Sequence, residues 1–151
     1  MKYLNRVSVM LVEEPMTDYR VNDSFDAKQL LQEYMRCFDR EHFVALFLSR
    51  KQQVQAIHEV SVGTLSSTLV HPREVFKAAI LANADKIIVG HNHPSGAVEP
   101  SDEDIQITER LREVGQIIGI PVCDHLIVGS AAYYSFAENG LMGDVDGENK
   151  N

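Results

Sequence analysis

His91 and His93 are separated by one residue, and the stretch continues as seven residues, Ser101, two residues and Asp104. In an extended chain, positions i and i+2 point the same way, so the two imidazoles can converge on one point. A carboxylate from the first turn of a following helix could supply a third donor. Two imidazoles and one carboxylate leave a tetrahedral zinc with one position open for water, the arrangement of a catalytic rather than a structural site. A His-x-His pair alone is weak, because strand ends and surface loops carry such pairs without any metal. The residues around this one give it weight.

Upstream, Lys86-Ile87-Ile88-Val89-Gly90 is an apolar, β-branched run that reads as a buried strand over residues 86–90. Pro94, Gly96 and Pro100 restrain the connection that follows, so it reads as a shaped loop. Ser101 then reads as an N-cap, with Asp102, Glu103 and Asp104 in the first turn of the helix it opens. A loop between a buried strand and a helix N-terminus is where α/β sheets place ligands.

The rest of the chain alternates strand and helix signals. Residues 6–12 read as a strand and 13–23 as a turn-rich arm. Residues 26–37 read as an amphipathic helix capped by Ser24, its Tyr34, Met35 and Phe38 belonging to the core. Residues 41–49 form a near-continuous apolar run, which predicts a strand buried on both faces. Residues 54–62 predict its hairpin partner. Residues 63–69 read as a small-residue loop. Pro72 at the first helical position opens a helix through residue 83, with Val75, Phe76, Ala79 and Ile80 inward. The helix opened by Ser101 ends between residues 115 and 118, and 120–128 and 132–136 read as closing strands. Residues 140–151 are polar and acidic, with little to bury. The pattern predicts an α/β fold, a single domain with a mixed central sheet flanked by helices.

At 151 residues and 44% hydrophobic content, the chain suits one sizeable core. No apolar run is long enough for a transmembrane helix, so no membrane role is expected. The N-terminal residues lack a signal-peptide pattern, and two cysteines imply no disulfide framework; a reducing cytoplasm is the expected compartment. A net charge of −8 argues against strong unaided binding to nucleic-acid phosphates.

The spacing from His91 to Asp104 is similar to the H-x-H-x7-S-x2-D signature of the JAMM (JAB/MPN) zinc metallopeptidases, and His91-Asn92-His93-Pro94-Ser95-Gly96 resembles the bacterial RadC branch. Gly63-Thr64, His71-Pro72-Arg73-Glu74, Asp124-His125-Leu126-Ile127-Val128 and Tyr133-Tyr134-Ser135-Phe136 extend the likeness. It covers roughly residues 41–141 and, more loosely, the chain from Val7. The resemblance implies a JAMM core over 41–141; residues 1–40 are expected to be part of or packed on the same domain, and the acidic composition of 142–151 predicts a flexible tail. The resemblance also implies Zn2+ as cofactor, held by His91, His93 and Asp104. A zinc hydrolase needs a group to move the proton of its water. In this family that group is a glutamate near the start of a central strand, which Glu41 matches; Glu59, in the next strand, is the competing assignment. Ser101, as well as capping its helix, would by resemblance stabilise charge developing on the scissile carbonyl oxygen.

Three functions follow as expectations. The first is a zinc metallopeptidase or isopeptidase acting on a peptide or protein substrate. The second, implied by the RadC likeness, is a metal-binding accessory protein in DNA repair or recombination without protease activity. The third is a zinc nuclease, the least favoured because no basic groove is visible. RadC-like proteins often carry a helical segment before this domain, whereas the residues before Glu41 read as a strand and one helix.

The remaining polar residues read more blandly. Asp124-His125 reads as a structural hydrogen-bonding pair between strands, with support for the metal site as the alternative. Cys123 reads as a buried, inert thiol, His71 as a loop residue and His58 as solvent-facing. Glu109, Arg110, Arg112 and Glu113 read as a solvated helix face.

Overall fold

The computed structural model describes residues 18–63 and 70–143. The strand expected over 6–12, most of the loop at 63–69 and the tail from 144 lie outside those residues. Among the described residues the chain runs α1 (Ser24–Tyr34), β1 (His42–Leu48), β2 (Val54–Val62), α2 (Pro72–Leu81), β3 (Lys86–Asn92), α3 (Asp102–Ile118), β4 (Val122–Val128) and β5 (Tyr133–Ser135). The strands form one mixed sheet in the order β2-β1-β3-β4-β5. β1 is antiparallel to β2 and β3, β3 is parallel to β4 across the α3 crossover, and β5 returns antiparallel to β4. No helix among the described residues is long and apolar enough to cross a membrane.

The strand period of two explains the layering. Phe43, Ala45 and Phe47 of β1 join Ile87 and Val89 of β3 on the face covered by Val75, Phe76 and Ala79 of α2 and by Ile107 and Leu111 of α3. Val44, Leu46 and Leu48 point to the opposite face, where Ala27 and Leu31 of α1 cover them. Both faces of β1 are therefore dry, as its unbroken apolar run requires. Against Gly90 the α1 layer comes so close that an added Cβ would sit 2.6 Å from Leu31 Cδ1.

Local signals set the helix ends. α3 opens with a reciprocal capping box: Asp104 N–H donates to Ser101 Oγ at 3.1 Å, and Ser101 N–H donates to Asp104 Oδ2 at 2.9 Å. It closes on Gly119, whose φ of +85° is the left-handed conformation that glycine adopts without penalty.

Several expectations need correction. α1 is capped by Asp23, whose side chain accepts from Asp26 N, and it ends at Tyr34 rather than at 37. Ser24 is free of that duty and reaches a buried carboxylate instead. Tyr34 is 38% exposed and Ile80 55% exposed, because each lies at the margin of its helix's buried stripe. β3 runs two residues past Gly90, so His91 and Asn92 belong to the strand. His71 is the N-cap of α2, its Nδ1 accepting from Arg73 N at 3.0 Å. His58 is half-buried with its ring stacked over Phe47, since β2 turns that face toward α2.

Candidate metal centre

β3 delivers His91 and the residue after its end delivers His93, while the first turn of α3 returns Asp104 to the same point. Register fixes the depth of the first candidate ligand: His91 pairs with Phe43 on one side and Ile127 on the other, in the middle of the sheet. It is fully buried, and Asp104 is 2% exposed. His91 Nε2 lies 2.9 Å from His93 Nε2 and 3.4 Å from Asp104 Oδ1, and His93 Nε2 lies 3.8 Å from Asp104 Oδ2. Ligand arms of about 2.0–2.1 Å would set tetrahedral donors roughly 3.3–3.4 Å apart. The His91–Asp104 separation matches that value, and with one donor atom from each residue all three lie within 4.8 Å of one another, close enough to share a small cation. Among the described residues, these three are the group that could hold a metal.

The protonation of the two imidazoles also suits a cation. His93 Nδ1 lies 2.6 Å from the Ala97 carbonyl, which can only accept, so Nδ1 carries a hydrogen and Nε2 is the nitrogen turned toward the cluster. Burial lowers the His91 pKa to about 4, with the Asp104 carboxylate opposing and His93 adding to the shift. His91 is therefore neutral at physiological pH, and no proton competes for its lone pair.

Glu41 and Ser101 open onto the same place. An open cleft of about 380 Å³ is lined by Glu41, His93, Ser95, Ala97, Glu99, Ser101, Glu103 and Asp104. Glu59 is not part of that lining; it points away and pairs with His42 Nδ1 at 3.0 Å. A second groove of about 1000 Å³ runs along α1 past Lys28, Gln32 and Arg36, and it meets the cleft at His93 and Ser95.

Two further residues support the site, one with no signal in the sequence and one, His125, offered there only as the alternative reading of the Asp124-His125 pair. Asn92, the middle residue of the His-x-His triplet, donates from Nδ2 to the Arg40 carbonyl at 2.8 Å and accepts at Oδ1 from His42 N–H at 2.6 Å. It thereby holds the backbone on both sides of Glu41. Nothing in its position along the chain signals this, because its partners lie some fifty residues earlier. The other support is His125. Asp124 and His125 do not act as a side-chain pair, because successive residues of β4 face opposite layers. Asp124 turns to α1. His125 lies under His91, with Nε2 2.8 Å from His91 Nδ1 and Nδ1 2.6 Å from Thr108 Oγ1. Burial holds His125 well below the usual imidazole range, and a proton on His91 or His93 would push the same way. Cys123 packs on the α1 side of the sheet, where burial raises its thiol pKa; it is no part of the cluster.

Comparison with known proteins agrees with this architecture. Residues 21–141 match the family described as the RadC-like JAB domain. A UPF0758 protein of Clostridioides difficile is 50% identical over 124 residues, which is 82% of this chain and 53% of that protein. A UPF0758 protein of Desulforudis audaxviator is 53% identical over 117 residues, covering 78% and 51% of the two chains. A third, from Rubrobacter xylanophilus, is 51% identical over 122 residues, covering 81% and 53%. The chain thus spans about half the length of the curated relatives it matches.

Proposed function

Because the chain belongs to the RadC-like JAB domain family, we propose that it is a zinc-dependent hydrolase of amide bonds, acting on a peptide or isopeptide link in a protein substrate. The observation that carries this reading is the convergence of His91, His93 and Asp104 beside a cleft that Glu41 and Ser101 also line. When bound, zinc supplies Lewis acidity, which lets a water ionise near neutral pH and polarises a carbonyl oxygen.

The chain's own residues do the rest. Glu41, held between the two backbone anchors of Asn92, takes the proton of the attacking water and delivers it to the leaving amine nitrogen. Ser101 Oγ already accepts from Asp104 N–H, which leaves its own O–H to donate to the carbonyl oxygen as charge develops there. The groove along α1 and the cleft beside α3 meet at His93 and Ser95, giving an extended chain room on both sides of the scissile bond. Glu41, Glu99, Glu103 and Asp104 line the cleft without a lysine or arginine. A phosphodiester backbone would meet repulsion there, which favours an amide over a nucleic-acid substrate.

The test begins with the metal content of protein purified without added metal. About one zinc per chain is expected, as for a single catalytic site, and none in the His91→Ala, Asp104→Ala double variant. Glu41→Gln should keep its zinc and lose roughly 10²–10⁴-fold in hydrolysis of peptide or isopeptide substrates, with oligonucleotides left intact by both proteins. A parent that neither carries zinc nor takes it up on titration would overturn the hydrolase and leave an accessory, non-catalytic role.

A further inference from the structure

The contacts beneath the metal site have a direction. Thr108 sits one helical turn after Asp104 on α3, fully buried, and its Oγ1 lies 2.7 Å from the Asp104 carbonyl oxygen. A carbonyl donates nothing, so a contact that short needs the Thr108 hydrogen between the two oxygens. With its only hydrogen spent there, Thr108 Oγ1 must accept from His125 Nδ1–H across 2.6 Å. A neutral His125 then has a lone pair on Nε2, which accepts from His91 Nδ1–H across 2.8 Å. His91 Nε2 is left with a lone pair, aimed at His93 Nε2 2.9 Å away. The reversed chain would give His91 Nε2 a hydrogen and remove it as a ligand. It would also leave two acceptor oxygens, Thr108 Oγ1 and Asp104 O, facing one another at 2.7 Å with nothing between them.

We infer that Thr108 and His125 are positioning residues that fix the tautomer of His91, so that the carbonyl of one metal-binding residue sets the protonation of another through β4. The inference rests on the metal-site reading above, but the tautomer it specifies belongs to the chain itself. The arrangement also ties the two ligand-bearing elements together, since β3 and α3 both hold on to His125.

Long-range proton–nitrogen correlation spectra of the metal-free, nitrogen-15-labelled parent chain would read the tautomers directly. Hydrogens on Nδ1 of both His91 and His125 are expected; a hydrogen on His91 Nε2 would overturn the inference, whether or not the protein binds zinc. Thr108→Val removes the hydroxyl with little change of shape. It should reverse the His91 tautomer and weaken zinc binding by about 10–100-fold in competition with a chromophoric chelator, and Thr108→Ser should restore both. Zinc affinity in Thr108→Val within twofold of the parent would refute the role. Should that variant fail to fold, the spectrum of the parent still decides. A parent with the expected tautomers but no zinc affinity would sink the metal reading and leave the hydrogen-bond chain standing.

Discussion

At the scale of single residues, Asp104 carries two duties on two oxygens. Oδ2 accepts from Ser101 N–H and closes the capping box, while Oδ1 faces His91. The duties can be separated, because an asparagine keeps an acceptor for the Ser101 N–H but gives up the negative charge. Asp104→Asn should leave the metal-free protein within about 1 kcal/mol of the parent. Its zinc affinity should fall at least as far as the roughly 10–100-fold lost with a supporting partner. Asp104→Ala should lose that affinity and, in addition, about 0.5–2 kcal/mol of stability for the cap. Denaturant melts of the two metal-free variants check the difference; equal destabilisation would mean that the cap contributes nothing separable.

At the scale of elements, Asp124 joins three of them. Its carboxylate receives Ser24 Oγ from the start of α1 at 3.0 Å and Ser135 Oγ from β5 at 2.7 Å. It also receives the backbone N–H groups of His125 at 2.7 Å and Ala137 at 2.9 Å. Burial nevertheless wins over those bonds and raises the pKa of Asp124 above the ordinary aspartate value of 3.8. The folded state therefore binds this proton more tightly than the unfolded chain does. The stabilisation this provides is fully present below pH 3.8 and is lost as pH rises through the folded pKa. Asp124→Asn cannot titrate, so the stability of the parent relative to this variant should grow as pH is lowered from 7 toward 4, read from urea melts across the series. A difference that shrinks with acid would contradict the assignment. Asp124→Ala, which strands two backbone donors, should cost about 2–3 kcal/mol at neutral pH.

At the scale of the molecule, the three candidate ligands arrive from β3, from the residue following it and from α3, which are held together otherwise by apolar packing and by the hydrogen bonds that run through His125. An ion bound there adds a cross-link that exists only in the folded state. At a free zinc concentration a hundredfold above its Kd, linkage predicts about 2.7 kcal/mol of added stability. For a domain of this size that corresponds to a rise in Tm of roughly 6–10 °C. Thermal melts with zinc and with chelator should show this shift in the parent and none in His91→Ala. An equal shift in both would place the ion elsewhere.

Sequence alone determined whatever depends on near neighbours. The apolar runs at β1 and β3, the hairpin to β2, Pro72 at the head of α2 and the Ser101 cap all follow from periods and spacings within a few residues. The donor set of His91, His93 and Asp104 was legible for the same reason, being contained in one strand, one loop and one helical turn. Tertiary structure decided the rest. That Asp23 caps α1 frees Ser24 for Asp124, a hundred residues away. That Asn92 brackets Glu41 depends on the pairing of β1 with β3, and that His125 supports His91 depends on the parallel register of β3 with β4. Periodicity shows that Asp124 and His125 face opposite ways; it carries no information on what lies across from either. Those partners are set by sheet order and register, which arise only when distant segments bury their apolar faces against one another.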